Sequence, residues 1–292
     1  MIKLANLLPQ SLYECVVARV SLDGSVMLAK NRDRAYAPEL EVVHEIVNDV
    51  EVVYMRDTIT DWSEGMNSNG IGIVNASLAV NFDEKEGELA KDKAEKGKTT
   101  RPSYDGEKIR TALAKPKLSE AVRSILSFAG QDKKDIGVKG MTIVANHKHS
   151  FVIEMTSQHL PIVKKIQGDK PTVRTNHGVA YPDTGYTGGV KRASSMSRQQ
   201  LAANALSGVV SRKDVLDALS VQRTSDKFMN PYRRNNSYDM TTSSQVLMDL
   251  GGLRFEFRHD SENSSFKGYI NNLPKGYDPK INVIIETTTN NK

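Results

Sequence analysis

The stretch CVVARVSLDGSVMLAKNRDR, residues 15–34, holds the one cysteine of the chain, Cys15. A thiolate is a nucleophile, although a lone cysteine in a strand is as often a small buried hydrophobe. Its neighbours favour chemistry. Lys30, Arg32 and Asp33 lie on the returning arm of a predicted hairpin, whose two ends meet, and a nearby cation favours thiolate over thiol. Alternation along a strand puts Lys30 and Arg32 on one face and Asp33 on the other. Downstream, TNHG supplies Asn176 and SSMSR supplies Ser194, Ser195 and Arg198 at a predicted helix start. Asparagine amides and backbone N–H groups are the donors an oxyanion needs. A cation at a helix start opposes the helix dipole, which argues for a specific role of Arg198. NSNGIGIVNASL, residues 67–78, adds Asn75, Ser77 and Leu78. His177 is the best-placed histidine for a cysteine–histidine pair. Trp62 and Tyr54 are candidates for a substrate mouth. Arg233 and Arg234, in MNPYRRNNSY, have the chemistry to meet a carboxylate, but paired arginines in a polar loop read as solvated and are left off the site.

The bulk composition bounds the rest. A chain of 292 residues can bury a large core as one domain. One cysteine excludes an internal disulfide and fits a reducing compartment, the cytoplasm. No apolar run has the length of a membrane span, and the opening residues are too mixed for a signal peptide. Forty Lys and Arg against 35 Asp and Glu give a net charge of +5, but the cations are scattered without interleaved aromatics, so nucleic acid is not an expected partner. Gly188 and Gly189, in YTGGVKR, lack the rest of a nucleotide-binding motif. His147 and His149 flank a turn without a third ligand, so neither a metal nor another cofactor is expected.

The elements that must position these residues follow from period and punctuation. Residues 15–21 and 25–30 form a hairpin about Asp23-Gly24. Residues 50–56 and 71–78 are strands, the latter after an Asn69-Gly70 turn. Residues 83–98 are charge-dense and solvated, as a helix or a loop. Ile109, Ala112 and Leu113 share a helical face capped by Asp105, and Leu118, Ala121, Val122, Ile125 and Leu126 make a second helix that closes near Gly130. Residues 141–155 and 244–260 are hairpins turning at 146–149 and 251–252. Residues 194–206 and 213–219 are helices, and 281–286 is the last strand. Residues 35–50, 60–69 and 225–240 read as pocket loops. Strands, two helices, strands, two helices, strands, joined mostly by tight turns, predict a layered α+β sandwich in a single domain.

Taken in order, these motifs resemble the N-terminal nucleophile hydrolases of the cholylglycine hydrolase group, which includes penicillin V acylases and acyl-coenzyme A:6-aminopenicillanate acyltransferases. There a cysteine opens the mature chain and a strand, and an Arg-Asn-any-Asp motif follows on the returning strand. Here that motif reads KNRD, with Lys30 in place of the arginine and Asp33 at the aspartate. NSNGIGIVNASL resembles the glycine-rich strand, Thr175-Asn176 the Thr-Asn motif, SSMSR the run ending in arginine, and TTSSQVLMDL with FEF the penultimate hairpin. The resemblance implies a four-layer αββα sandwich of two mostly antiparallel sheets. It implies residues 1–14 as a self-cleaved propeptide and 15–292 as the hydrolase domain. Cys15, Asp33, Asn176 and Arg198 would be catalytic. Asn75, Ser77, Leu78 and Lys30 would support the site or the oxyanion. The substrate would be a small acyl amide, and a homo-oligomer stays open. The alternatives are an acyltransferase on the same fold, a cysteine transferase with Cys15 unprocessed and His177 as its base, a non-enzymatic descendant, for which Lys30 is the best argument, and, least favoured, a basic binding module.

Overall fold

The computed structural model describes residues 13–78, 104–127, 137–156, 159–234 and 240–288. Two sheets carry the fold. The strands are β1 (Tyr13–Leu22), β2 (Ser25–Arg34), β3 (Glu39–Val47), β4 (Val50–Asp57), β5 (Ser63–Asn67), β6 (Gly72–Ala76), β7 (Gly140–Ala145), β8 (Ser150–Met155), β9 (Ile162–Lys165), β10 (Thr172–Arg174), β11 (Thr241–Asp249), β12 (Arg254–Asp260), β13 (Ser265–Asn272) and β14 (Asn282–Thr288). The six-stranded sheet runs β10-β1-β2-β11-β12-β14 and the eight-stranded sheet β13-β3-β4-β5-β6-β7-β8-β9. All pairs are antiparallel except one at an edge of each sheet, β12–β14 and β13–β3.

The β1–β2 turn has Asp23 at φ 51° and Gly24 at φ 77°, the left-handed pair that a two-residue hairpin matching the strand twist requires. β1 and β2 then pair without a slip from Leu22↔Ser25 to Tyr13↔Arg34, which sets Cys15 opposite Arg32 and Glu14 opposite Asp33. Alternation sorts the side chains. Cys15, Val17, Val26 and Leu28 face the other sheet and join Leu40, Val53, Met55, Met66, Val74, Phe255 and Phe257 in the core between the sheets. Val16, Ala18, Val20, Met27 and Ala29 face outward onto Ala202, Leu206, Val215 and Leu216. Those belong to helices α3 (Gly189–Leu206) and α4 (Asp214–Leu219). On the far side, α1 (Tyr104–Leu113) and α2 (Leu118–Leu126) cover Val52, Tyr54, Ile73 and Ile153 of the eight-stranded sheet. The layers are therefore α, β, β, α, the expected sandwich. Cys15 lies near the start of β1, an interior strand beside the edge strand β10. Among the described residues no helix is long and apolar enough to cross a membrane.

Several local expectations differ from the structure. Residues 39–47 and 63–67, read as loops, are strands β3 and β5. Their polar residues, such as Glu41, Glu64 and Asn67, have partners on other elements and are buried. Helix α3 begins at Gly189, behind an extended Gly188, so Arg198 lies in the body of the helix and its charge does not meet the helix start. Asp105 falls inside the first turn of α1 and does not cap it. The charge-dense stretch 83–98 and Gly130 lie outside the described residues.

Gly106 lets α1 approach the β4–β5 connection: a Cβ there would sit 1.8 Å from the Asp61 carbonyl oxygen. Gly208 is open, its nearest such atom 3.7 Å away. Gly106→Ala should therefore cost at least about 1–3 kcal/mol as overpacking. Gly208→Ala should be neutral or stabilise by up to about 1 kcal/mol through the unfolded chain. Urea unfolding of the two variants checks the contrast, and equal midpoints would contradict the packing described.

Candidate active site around Cys15

Cys15 is buried, 2% exposed, and two ionic clusters flank it, one on each face of the β1–β2 hairpin. The sulfur faces the space between the sheets. There β2 changes character after Leu28: Lys30, Arg32 and Arg34 succeed one another on the face that Val26 and Leu28 began. The opposite sheet answers with Glu64 and Asp57. Lys30 Nζ donates to Glu64 at 2.8 Å, Arg32 spans Glu64 at 3.2 Å and Asp57 at 2.9 Å, and the Tyr36 hydroxyl donates to Asp57 at 2.6 Å. Arg34 Nη1 donates to Cys15 Sγ at 3.8 Å and to the Asp33 carbonyl at 2.7 Å. Three basic side chains against two carboxylates lie beside the sulfur. Burial lowers the Lys30 pKa in spite of Cys15 and Glu64 close by. Burial alone would raise Glu64, but Lys30 and Arg32 outweigh it and hold the carboxylate below its ordinary range.

The other face holds Glu14 and Asp33 against two buried arginines. Arg198 Nη2 donates to Glu14 Oε2 at 2.8 Å and Arg233 Nη1 to the same oxygen at 2.6 Å, while the Tyr186 hydroxyl donates to Glu14 Oε1 at 2.5 Å. Asp33 Oδ2 is 3.6 Å from both Arg198 Nη1 and Arg233 Nη1, within ion-pair reach but too far to hydrogen-bond, and it is buried without a hydrogen-bond partner. Thr242 Oγ1 donates to Asp33 Oδ1 at 2.7 Å. The two carboxylates thus diverge. Burial would raise Glu14, but Arg233 and Arg198 hold it below the usual range. For Asp33 burial prevails over the same arginines and raises its pKa.

Asn176 and Arg198 grip the backbone of Cys15 itself. Cys15 N–H donates to Asn176 Oδ1 at 3.1 Å, and Arg198 Nη1 donates to the Cys15 carbonyl at 3.1 Å. Arg198 Nη2 also reaches Asn176 Oδ1 at 3.0 Å, and Asn176 Nδ2 donates to the Ser77 carbonyl at 2.6 Å. Two donors on one end of the amide and an acceptor on the other fix its orientation. Asn176 N–H donates to Ser195 Oγ at 2.9 Å, which anchors it to α3.

Of the residues singled out from the sequence, Cys15, Asp33, Asn176 and Arg198 come together. Arg198 touches the other three, through the carbonyl of Cys15, the amide of Asn176 and the ion pair to Asp33. Asp33 lies on the far face of the hairpin from the sulfur, as alternation requires, and Cys15 N–H is bonded to Asn176. Lys30 is on the sulfur's face. Ser77 enters through its carbonyl, and Leu78 packs in the core between the sheets. Asn75 does not join the site. In β6, Val74 and Ala76 point between the sheets, so Asn75 points outward, donating to Thr142 Oγ1 at 2.6 Å and to the Lys139 carbonyl. His177 pairs with Ser195 Oγ at 2.8 Å and lies beside Thr175, and no hydrogen bond joins it to Cys15. Tyr54 is on the outer face with α1 and does not line a mouth, while Trp62 lies under Lys30. Among the described residues no group of His, Cys, Asp and Glu is placed to hold a metal.

Sequence reasoning missed Glu14, Arg34, Tyr186 and Arg233. Arg34 was within reach of the rule used for Lys30 and Arg32, the same alternation carried two residues further. Glu14 had the signal of adjoining Cys15. Arg233 is fully buried, contrary to its polar surroundings in sequence. Its Nε donates to the Phe228 carbonyl at 3.1 Å, its Nη2 to Ser194 Oγ at 2.7 Å, and its guanidinium lies 4.1 Å over the Phe228 ring. Arg234 bonds Tyr232 and pairs with Asp260 instead.

No protein-family model and no curated protein sequence matches this chain. Among solved structures it is similar to penicillin V acylase from Agrobacterium tumefaciens, with 14% sequence identity, a TM-score of 0.43, and 84% of this chain and 86% of that one covered.

The geometry fixes two stability expectations. Glu64→Gln removes the acid that Lys30 and Arg32 share in a fully buried setting, so it should cost about 3–5 kcal/mol in urea unfolding. A loss below about 1 kcal/mol would mean that the cluster is hydrated. His177 is held neutral, its pKa pushed down from 6.5 to about 4 by burial and by Arg192 and Arg198. Below pH 6.5 the unfolded chain takes up a proton that the folded chain refuses until about pH 4, so stability falls through that window. His177→Gln should make the fall in Tm between these pH values shallower, and an unchanged slope would show that His177 is not the group responsible.

Proposed function

We propose that this chain is an N-terminal cysteine amidohydrolase that matures by cutting itself between Glu14 and Cys15, and that it then hydrolyses a small linear acyl amide. One observation carries the reading: the Glu14–Cys15 junction is gripped from both sides. Arg198 bonds the Cys15 carbonyl and the Glu14 carboxylate together, Asn176 accepts from the nitrogen of the bond to be cut, and the thiol lies against Arg34. The αββα layering and the order of the motifs from Cys15 to the β11–β12 hairpin agree with it.

In maturation the Cys15 sulfur attacks the Glu14 carbonyl carbon. A C–S bond forms, the C–N bond breaks, and the nitrogen takes the thiol proton and becomes the α-amino group of Cys15. Water then hydrolyses the thioester and frees residues 1–14 with a new carboxylate at Glu14. The new amine, with an unperturbed pKa near 8, replaces a histidine as the base that takes the thiol proton. The sulfur next attacks the substrate's acyl carbon, the amine product leaves with a proton, and water resolves the acyl-enzyme. If a second amine resolves it, the same residues make an acyltransferase. Asn176 Nδ2 carries a hydrogen beyond the one directed at Ser77, and that is the donor proposed for the oxyanion. Arg34 and Lys30 supply the positive field at the sulfur that the resemblance assigns to a single arginine. Asp33 offsets part of the charge of Arg198 and Arg233. The lone free thiol suits a reducing compartment, and the cytoplasm is the one we propose.

Purified protein should lose residues 1–14 without added protease, and Cys15→Ala should retain them; intact mass decides. The cut protein should hydrolyse acyl amides, and Asn176→Ala should lower kcat by about 100- to 1000-fold while the chain stays folded. A wild-type protein that keeps Glu14 joined to Cys15 and still turns over an amide would overturn the amine as base. One that turns over nothing would favour the non-enzymatic reading.

A further inference from the structure

We infer that the cradle now filled by the Glu14 side chain, made by Arg198, Arg233 and the Tyr186 hydroxyl, is the acyl-side carboxylate subsite of the mature enzyme, and that its substrate is the amide of a linear dicarboxylic acid of glutaryl length. The inference rests on the cleavage proposed above. Glu14 contributes the acyl half of the bond that the thiol cuts during maturation, and the same sulfur later meets the substrate's acyl carbon. Whatever follows the Glu14 carbonyl carbon therefore previews the acyl chain. From that carbon a glutamate runs through Cα, Cβ and Cγ to its carboxylate, the skeleton of a glutaryl group.

The cradle is built to persist when Glu14 leaves. Arg233 is held by the Phe228 carbonyl, Ser194 Oγ and the Phe228 ring, none of which belongs to residues 1–14. Arg198 is held by the Cys15 carbonyl and Asn176 Oδ1. Asp33, the remaining carboxylate, is anchored by Thr242 and lies 3.6 Å from each arginine. Removing Glu14 leaves two fully buried guanidiniums, each short of its nearest acceptor, facing the place where a carboxylate sat. An unpaired buried charge is costly, and a guanidinium fork matches a carboxylate. In turnover the sulfur bonds to one acyl carbon of the diacid amide, the amine leaves protonated, and water releases the free diacid and restores the thiol.

The test uses wild-type protein shown by mass to begin at Cys15, with glutaryl-p-nitroanilide and its uncharged counterpart pentanoyl-p-nitroanilide. kcat/KM should favour the glutaryl compound at least about tenfold, mainly through KM, and Arg233→Gln should remove the preference. Cut protein that handles the pentanoyl compound as well or better overturns the subsite and leaves the amidohydrolase standing. A chain that never cuts, or cuts and hydrolyses neither, removes both. A second measurement needs no activity. In a Cys15→Ala background, Glu14→Ala empties the cradle, and propionate should raise its Tm by several degrees more than that of the Glu14-containing parent, whereas propionamide should not. Equal shifts in the two proteins would overturn the cradle as a site for free carboxylate.

Discussion

The pairing of β1 with β2 is the constraint on which the rest depends. Because the two strands keep register over the whole hairpin, Glu14 and Asp33 share one face while Cys15, Arg32 and Arg34 share the other. A slip of one residue would exchange the faces. The sulfur would then meet α3, and the cationic row would lose Glu64 and Asp57. The turn at Asp23-Gly24 sets that register from one end, and the apolar alternation Val26, Leu28 against Met27, Ala29 sets it along the length.

Both faces of the hairpin become ionic at the same end. This is costly: each charge is fully desolvated, and a buried ion pair is weak grounds for stability against an apolar pair of the same shape. The sandwich carries the cost because apolar residues line the rest of both faces of β1 and β2, between the sheets and against α3 and α4. The two ionic clusters thus flank the Cys15 thiol, where the proposed nucleophile would need a fixed field. The same desolvation separates Glu14 from Asp33. Two carboxylates share two arginines: the nearer one takes the hydrogen bonds and its pKa is held below the usual range, while burial raises the pKa of the farther one.

What the sequence revealed and what it hid follow from the range of the interactions. The hairpins at 23–24, 146–149 and 251–252 were legible because turn chemistry is local. β3 was not, because ELEVVHEIV mixes apolar residues with Glu41, His44 and Glu45, whose partners Arg56, Glu51 and Tyr54 become neighbours only once β4 pairs with β3. The start of α3 was hidden by Gly188-Gly189, which reads as loop in isolation. In the site, Cys15, Asp33, Asn176 and Arg198 could be singled out by residue type and order. Arg233 reads as solvated in its local sequence because two of the partners that hold it, Glu14 and Ser194, lie 219 and 39 residues away. Asn75 was drawn in by its residue type, and the parity of β6 excludes it.

In the reading proposed here, cutting the junction changes the charge as well as the covalent structure. The cluster around Arg198 and Arg233 loses a carboxylate and gains an amine. The amine appears at the nitrogen now bonded to Asn176 Oδ1, an oxygen it already shares with Arg198. In that reading the nearby cation and burial both favour the neutral amine, the form that can take a thiol proton. Asp33 works in the opposite sense, which is why its distance matters. At 3.6 Å from both guanidiniums it tempers the positive charge without taking the hydrogen bonds that hold Arg198 on the Cys15 carbonyl. Were Asp33 to move in and bond both arginines, it would screen more of their charge from the amine and weaken that effect. The Thr242 hydroxyl bonded to Asp33 Oδ1, from the neighbouring strand β11, opposes that movement and so links the register of the six-stranded sheet to the basicity of the nascent amine.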